Sequence, residues 1–418
     1  MTLMTSGQQD RAIGAEEFGK ELSAHVGRLR LALRQMLTEL GSPRTPTLLQ
    51  RQLGAGYTIC WQIFQVARSD DQTAETQHAP SLGALKRLVG LALEKGLTRG
   101  TADVLQDTAD AFHRFIRQHA EDRDYFDAMV AGATDTRHAK NVLVQRRRAA
   151  YRANSHVWGS QNDLWLVSGI VRRSATDPGH IDLIALSRQQ GLRRLRADAA
   201  VSLVGMRIDP TKRDQPPGKA DTLKDALDPT AAAATGMPVL PEFSTSPLPR
   251  VSCTTTCTGR RVFQWIDDSV GLKSSCDITT GTLSTGIPMP VGQNGLRQML
   301  MSSTVRSKAS AMMVIDLIVH RDTFPDVQVH PVVHEAADGV PTLDDLPTLH
   351  RFAIEEGVTH LGRATNVNLA EFPQYRSLLQ YATTKAGWQL EEFDVYRLQI
   401  AYPIMGAAHC LYFYDPAQ

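Results

Sequence analysis

Three side chains near residue 330 have the types and the spacing that metal chemistry uses. His330 and His334 lie four residues apart in the segment HPVVHE, and Glu335 follows them directly. On a helix this spacing places two imidazoles on one face, where they can bind zinc. Pro331 and the neighbouring valines indicate a strand instead, on which the two histidines share a face without the helical geometry. The residue order also differs from HExxH, so we predict no metal site here.

Proton transfer is a second option, because Asp316, His320 and Asp322 lie close together at the end of a predicted strand. A carboxylate can orient a histidine that acts as a base. No nucleophile motif accompanies them, and the sequence contains no phosphate loop, GxGxxG, GxSxG or kinase signature. The sequence therefore predicts no catalytic residue, no cofactor and no enzyme. An enzyme would require these groups and the two histidines near residue 330 to converge in one concave pocket.

The cysteines form a further pattern that resembles part of a zinc site. Cys253 and Cys257 form C-x3-C, and Cys276 follows after eighteen intervening residues. Thiolates hold zinc tetrahedrally, but no cysteine or histidine follows Cys276 at short spacing to supply a fourth ligand. We therefore expect free, reduced thiols and no metal.

Hydrogen bonding to nucleic acid is the chemistry available in residues 45–67, TPTLLQRQLGAGYTICWQIFQVA, and in the flanking arginines. Glutamine can pair with adenine, and arginine with guanine or phosphate. From His25 to Arg68 there are six arginines and one acidic residue, Glu39. Local positive charge of this kind is what phosphate binding requires. The predicted DNA-contacting residues are Arg44, Tyr57, Thr58, Gln62, Gln65 and Arg68.

Two short helices and a tight turn would position these side chains. Pro46 suits the first turn of the first helix, and Gly54 permits the positive φ that a sharp turn needs. Leu49 and Leu53 are expected to form the inner face of the first helix. The second helix is expected to bury Cys60, Ile63 and Phe64. Its remaining face would present the polar residues.

This segment resembles the helix-turn-helix of bacterial transcription regulators, in which a turn glycine follows a leucine and an apolar residue recurs about six positions later. The resemblance covers about 23 of the 418 residues. Gln50 stands where that family commonly has alanine, and Trp61 lies on or beside the reading face. The resemblance implies that the second helix enters the major groove and that the protein is a homodimer. A structural pair of helices in a bundle has the same outline and is the alternative.

A second basic stretch, residues 141–213, contains 13 lysine and arginine residues and five aspartates. Within its segment QRRRAAYRANSHVWG, Arg148, Arg152 and His156 recur every fourth residue near Trp158. Basic and aromatic side chains together can grip phosphates and stack on bases. The same residues suit the place where a helical domain docks against a sheet, because arginine stems pack on apolar surfaces. Docking is the favoured interpretation, since predicted strands begin directly afterwards.

Hydrophobic periodicity divides the chain into four parts. We predict an all-helical domain with the helix-turn-helix at residues 1–160, a short strand-rich basic segment at 161–208, a linker at 209–249 and a mixed α/β domain at 250–418. The predicted fold class is therefore α+β, an N-terminal helical bundle followed by a mixed C-terminal domain.

Local patterns also predict individual elements of the last part. Strands are expected at residues 311–320, 327–333, 395–402 and 409–414, and helices at 346–356 and 371–387. The last two strands flank the turn-like segment PIMG and are expected to form a C-terminal hairpin.

The composition is that of an ordinary globular protein, with 42% hydrophobic and 21% charged residues and a net charge of +1. No apolar run approaches the roughly 20 residues that span a bilayer, and the N-terminus has no apolar signal core. We therefore expect a cytoplasmic protein with no membrane partner. The predicted function is a DNA-binding transcriptional regulator whose C-terminal domain senses a small-molecule effector or mediates self-association. The alternative is a non-enzymatic protein–protein interaction or assembly protein.

Overall fold

The computed structural model describes residues 6–69, 76, 78–133, 137–175, 177, 179–206, 225–255, 261–267, 269–291, 296–304, 308–335, 351–352, 354 and 356–415. Helices and sheets are both present, so the chain is a mixed α+β protein. It divides into two compact units, residues 1–145 and residues 146–418. None of the helices in the described part is both long and apolar enough to cross a membrane.

The first unit is helical. Its elements are α1 (Ser6–Glu39), α2 (Pro46–Leu53), α3 (Tyr57–Arg68), α4 (Leu82–Glu94), α5 (Arg99–His119), α6 (Arg123–Ala133) and the beginning of α7 (Arg137–Trp158). A continuous apolar cluster joins α1 to α6, and its buried members include Leu33, Leu49, Phe64, Leu88 and Phe112. The amphipathic faces of these helices therefore share one core.

Polar caps determine where several of these helices begin. The Thr45 hydroxyl accepts a hydrogen bond from the Leu48 amide at the start of α2. At the end of α1, the Glu39 carboxylate accepts hydrogen bonds from the Thr98 amide at 3.2 Å and from the Thr98 hydroxyl at 3.0 Å. The Thr101 hydroxyl also donates to Glu39 and holds the pKa of its carboxyl below the usual range. These bonds attach the end of α1 to the first turn of α5.

The second unit is built on three sheets. Its strands are β1 (Ser160–Arg173), β2 (His180–Arg194), β3 (Val201–Met206), β4 (Val251–Thr255), β5 (Arg261–Trp265), β6 (Cys276–Pro288), β7 (Arg297–Thr304), β8 (Ala309–His320), β9 (Gln328–Glu335), β10 (Arg351–Phe352), β11 (Thr359–Arg363), β12 (Phe393–Ala401) and β13 (Ala407–Asp415). It also contains the end of α7 and the helices α8 (Pro229–Thr235) and α9 (Tyr375–Ala386).

A six-stranded sheet has the order β11-β12-β8-β1-β2-β6, with β1 and β8 parallel and the other neighbours antiparallel. A four-stranded sheet has the order β10-β9-β13-β7, and a three-stranded sheet the order β3-β5-β4. Alternate residues of the six-stranded sheet enter two different cores. Leu164 and Leu166 pack with α9 on one face, whereas Ile315 and Leu317 pack with Phe413 of the four-stranded sheet on the other.

The predicted C-terminal hairpin is wrong. β12 pairs with β8 and β11, whereas β13 pairs with β7 and β9 in the other sheet. Tyr402 at φ +52 and Gly406 at φ +84 turn the chain between the two layers. Leu398 of β12 and Leu411 of β13 therefore meet within one core, and their strands do not form a ladder side by side.

The predicted linker at residues 209–249 is wrong for its described part. Residues 207–224 lie outside the described residues, but Ala226 and Val239 form β-bridges to β6. The buried side chains of this segment include Leu227, Leu240 and Phe243. Its few apolar residues are spread among proline and alanine, so the local composition resembles a linker although the segment covers the sheet.

The predicted helix at residues 346–356 is also wrong where it is described. Residues 346–350 lie outside the described residues, and Arg351–Phe352 forms strand β10, which pairs with β9. The other predicted helix, at residues 371–387, is confirmed as α9. The four strands predicted between residues 311 and 414 are confirmed as β8, β9, β12 and β13.

Candidate nucleic-acid interface

α2 and α3 are joined by a turn of three residues, Gly54-Ala55-Gly56. Gly54 adopts φ +66 and ψ 22, as predicted, and its amide donates to the Gln50 carbonyl at 2.8 Å to end α2. Gly56 is extended at φ −68 and precedes α3 without a side chain that could cap it. The first turn of α3 therefore presents the positive end of the helix dipole without a side-chain acceptor from its own cap residue.

The inner faces of this α2–α3 pair are apolar, and the predicted inner residues are confirmed as buried. These residues are Leu49, Leu53, Cys60, Ile63 and Phe64. Gln50 is half-buried. Trp61 is also half-buried and packs against His78 with its ring centroid 4.8 Å away in an edge-to-face geometry. Trp61 is therefore held against its own unit.

The predicted contact residues fall into two groups by exposure. Those that are exposed are Arg44, Tyr57, Thr58 and Arg68, with Tyr57 exposed to 51%. Gln62 and Gln65 are half-buried because they lie further along α3, where the helix packs into the bundle. The exposed predicted residues of α3 are thus in its first turn and at its last residue. The first turn is the part that contacts base edges in DNA-binding helices.

Three of the six arginines between residues 25 and 68 donate to backbone carbonyls of the first unit. Arg28 donates to the Ala24 carbonyl of its own helix at 3.1 Å. From α1, Arg34 donates through Nε to the Ala67 carbonyl, and Arg30 donates to the Ser69 carbonyl at 3.5 Å. Both donate to carbonyls at the C-terminal end of α3, where the helix dipole is negative. These two guanidiniums keep their charge but already have acceptors within the first unit. The arginines exposed on the α2–α3 pair and on its approach are Arg44, Arg51 and Arg68.

Arginines of the second basic stretch bind acceptors of the second unit. Their ion pairs are Arg147–Glu356, Arg172–Asp182 at 3.5 Å, Arg188–Asp277 at 2.6 Å, Arg193–Asp163 at 2.8 Å and Arg196–Asp198 at 3.3 Å. Arg194 donates to the backbone carbonyls of Trp265, at 2.7 Å, and Asp267. Much of the positive charge of this stretch is therefore neutralised internally.

The end of α7 contacts Tyr402 through an aromatic and an arginine side chain. The Tyr151 ring lies 5.4 Å from the Tyr402 ring, and the Arg148 guanidinium lies 6.0 Å from the same ring. Arg152 and His156 remain exposed. Arg148, Tyr151 and Tyr402 all belong to the second unit.

Asp316 lies in a buried network and is not paired with His320. Arg397 donates from Nε to Oδ1 at 2.8 Å and from Nη2 to Oδ2 at 2.7 Å. The Tyr375 hydroxyl donates to Oδ2 at 2.7 Å and contacts the Ser168 hydroxyl at 2.8 Å. Burial raises the pKa of Tyr375 well above its usual value. The network attaches α9 to β1, β8 and β12.

The other residues considered for catalysis have separate surroundings. His320 on β8 lies 3.5 Å from Glu392, and Asp322 is exposed in the turn that follows. His330 and His334 belong to β9 of the four-stranded sheet, whereas β8 belongs to the six-stranded sheet. These histidines therefore lie on two different sheets and have different partners.

The histidines of β9 also have different partners. His330 stacks on Tyr414 with ring centroids 5.5 Å apart. His334 is buried, with Nε2 3.4 Å from the Cys410 sulfur and Nδ1 2.6 Å from the Glu335 carbonyl. Within the part of the chain that the structure describes, no group of three or more His, Cys, Asp and Glu side chains is arranged to hold a metal.

The cysteine pattern is described only in part. Cys257 lies outside the described residues, and Cys253 is an exposed free thiol. Cys276 is buried on β6, and burial raises the pKa of its thiol to about 12. A thiol in this environment stays protonated at neutral pH.

His409 is a buried titratable residue that was not identified from the sequence. His409 lies on β13 and is 1% exposed. Burial, with a smaller effect from the charge of Arg147, lowers its pKa to about 4. The available signal was its position two residues from both Ala407 and Leu411, which places it on the apolar face of the strand.

Comparisons with protein-family models, with curated proteins and with solved structures found no match to this chain.

Proposed function

We propose that this chain is a cytoplasmic DNA-binding transcriptional regulator in which the α2–α3 pair acts as a helix-turn-helix. The second unit would sense a small-molecule effector or mediate self-association. The observation that carries the proposal is the first turn of α3, where Tyr57 and Thr58 are exposed after a glycine turn while the opposite face of the helix is buried. A helix presented in this way can insert its N-terminal residues into a major groove.

Phosphate contacts would come from both ends of the α2–α3 pair. Arg44 lies two residues before α2, and Arg68 is the last residue of α3. The guanidinium of Arg68 lies over the Phe64 ring, 4.5 Å from its centroid, which restricts the side chain without removing its exposure. Such contacts position a protein on the duplex and do not depend on base sequence.

Base contacts would come from the face of α3 itself. Thr58 can hydrogen-bond to a base edge or contact a thymine methyl group, and Gln62, one turn further on, can pair with adenine. Thr58 is exposed, whereas Gln62 and Gln65 are half-buried. We therefore expect Thr58 to contribute more to sequence preference than either glutamine.

Alanine variants test which residues contact bases and which contact phosphates. Affinity is measured for a duplex selected from a random pool and for a duplex of random sequence. Thr58→Ala is expected to weaken the selected site by about 1–3 kcal/mol and random duplex much less, because a base contact distinguishes sequences. Arg68→Ala is expected to weaken both duplexes similarly and to reduce the salt slope by about one, because a phosphate contact is lost.

Arg117→Ala is the matched control, since it removes an exposed arginine from α5 rather than from the α2–α3 pair. It should leave both affinities unchanged. The proposal fails if Thr58→Ala and Arg68→Ala change neither affinity, or if Arg117→Ala has the same effect as Arg68→Ala.

A further inference from the structure

α7 has a large excess of positive charge. Its 22 residues include six lysine and arginine residues and no aspartate or glutamate. Arg147 is buried and pairs with Glu356. Arg148, Arg152 and His156 are exposed instead, and none of them pairs with a carboxylate of the described residues. We call these three exposed side chains the basic stripe.

The basic stripe follows one side of α7. Its members are four residues apart, so each lies about 6 Å further along the helix axis and about 40° further around it. The stripe therefore extends over about 12 Å, whereas neighbouring phosphates of a B-DNA strand are about 3.4 Å apart along its axis. Ala149 and Ala153 beside the stripe are exposed and small, so a phosphate backbone can approach the helix. The stripe can thus contact several phosphates of one strand.

Another face of α7 attaches the helix to the second unit. Arg147 donates from Nη1 to the Glu356 carboxylate at 3.2 Å. One turn later the Tyr151 ring lies 5.4 Å from the Tyr402 ring, and a further turn on Ser155 is buried. These contacts fix the orientation of the helix. The basic stripe is therefore exposed to solvent without a rearrangement, which lowers the cost of binding.

Tyr402 provides an aromatic ring beside the basic stripe. The Arg148 guanidinium lies 6.0 Å from the centroid of this ring, and Tyr402 is half-buried. Its backbone has φ +52, and Ser42 is the only other non-glycine residue of the described part with a positive φ. A bulky L-residue is strained in this region, and such strain is concentrated at ligand sites. Glycine or asparagine would form the turn at lower cost, so the ring itself distinguishes this position.

Two carboxylates near this part of α7 are paired with other arginines. Glu356 is held by Arg147, and Asp163 pairs with Arg193 at 2.8 Å. Their negative charge is balanced where it lies, so it opposes an approaching phosphate only weakly. The basic stripe keeps its attraction for an anionic partner.

The combination of cations and an aromatic ring distinguishes between anionic partners. An anionic membrane would interact with the charges alone. In a duplex the bases are stacked on one another, so a ring beside the phosphate contacts has no base to receive. A single strand has unpaired bases that stack on aromatic rings while its phosphates contact cations. A single strand is therefore the partner that uses both parts of this surface.

We propose that the basic stripe and the Tyr402 ring bind single-stranded DNA. Arg148, Arg152 and His156 contact successive phosphates, and one base stacks on the Tyr402 ring next to the Arg148 guanidinium. Stacking and phosphate contacts are tolerant of sequence, so the surface has little base preference. The proposal goes beyond the function proposed above, because it concerns unpaired strands and the second unit and does not require the α2–α3 pair to bind DNA.

The test is the affinity of the full chain for a fluorescent oligomer of about 12 thymidines, measured by anisotropy at several salt concentrations. Arg148→Gln combined with Arg152→Gln should weaken binding about tenfold near 50 mM salt. The slope of log affinity against log salt should fall by about 1.4, since about 0.7 is lost per phosphate contact on a single strand. Both arginines are exposed, so the circular dichroism spectrum should not change.

An oligomer of the same length without bases tests the stacking contact on the wild-type chain. It should bind about tenfold more weakly than the thymidine oligomer, because no base can stack on the Tyr402 ring. This comparison changes the ligand only, so it cannot be affected by folding of a variant.

Arg114→Gln combined with Arg117→Gln is the matched control, since it removes two exposed arginines of α5. It should bind the thymidine oligomer as the wild-type chain does. The proposal is overturned if the wild-type chain does not bind this oligomer, if the α7 double variant binds as well as the wild-type chain or no worse than the control, or if the oligomer without bases binds equally tightly. Binding of a uridine oligomer alone would also overturn it. No duplex is present, so these outcomes are separate from whether the α2–α3 pair binds duplex DNA.

Discussion

Arg188 and Arg397 carry positive charge into the interior of the second unit. Each is held by an aspartate, Asp277 at 2.6 Å and Asp316 at 2.7 Å. A buried guanidinium needs such partners, because removing the charge from water is costly. The sequence alone does not distinguish these two arginines from exposed ones. Their aspartate partners show that they are not available to a ligand.

His409 makes the stability of the second unit depend on pH. Its pKa is lowered from 6.5 to about 4, chiefly by burial and further by the charge of Arg147. The unfolded chain therefore binds a proton below pH 6.5 that the folded chain does not bind until about pH 4. Lowering the pH through this window should destabilise the fold, by about 2 kcal/mol between pH 7 and 5.

Urea unfolding of His409→Gln at pH 7 and at pH 5 measures this effect. The variant should lose less stability than the wild-type chain over this range, whatever its stability at pH 7, because glutamine does not titrate. His330→Gln, at an exposed position, should keep the wild-type pH dependence. If His409→Gln and the wild-type chain lose the same stability, burial of a neutral His409 is not the cause.

At the scale of the elements, substitutions at Gly54 and Gly56 test the backbone conformation of the turn between α2 and α3. A Cβ atom added at either glycine would meet no atom within 4 Å. The two residues differ in backbone, with φ +66 at Gly54 and φ −68 at Gly56. Gly54→Ala should destabilise the first unit by about 1–2 kcal/mol, because an L-residue is strained at positive φ.

Gly56→Ala should destabilise the unit less than Gly54→Ala. Alanine is not strained at φ −68 and reduces the freedom of the unfolded chain, which offsets part of the N-cap preference for glycine over alanine. The measurement is the urea midpoint of the helical circular dichroism signal. Equal midpoints for the two variants would show that the backbone of the turn is not as described.

Local signals predicted the helices well and the strand partners poorly. Thr45, Pro46 and Gly54 mark the ends of α2 within a few residues of sequence, so they could be interpreted without tertiary structure. The partners of β12 and β13 are strands that begin between 34 and 110 residues earlier in the chain, and no local turn specifies them. For the same reason PIMG suggested a hairpin where the chain changes sheets.

At the scale of the whole molecule, the residues of the candidate site were proposed from the sequence, but the exposure of its polar side chains was not predicted. The sequence indicated which residues of α3 are buried, because apolar spacing is a local property. It did not show that Arg30 and Arg34 bind the carbonyl end of α3, nor that Gln62 and Gln65 are half-buried. Those facts depend on how α1 packs beside α3 in the first unit.

The central claim is that the α2–α3 pair binds duplex DNA, and the salt dependence of binding tests it most directly. A fluorescence titration of the full chain with random duplex at about 50 and 200 mM salt should show binding that weakens about 40-fold, as for three phosphate contacts. The exposed arginines expected to make these contacts are Arg44, Arg51 and Arg68. Absence of binding at the lower salt concentration, or an affinity that is equal at both, would contradict the claim and favour an assembly protein.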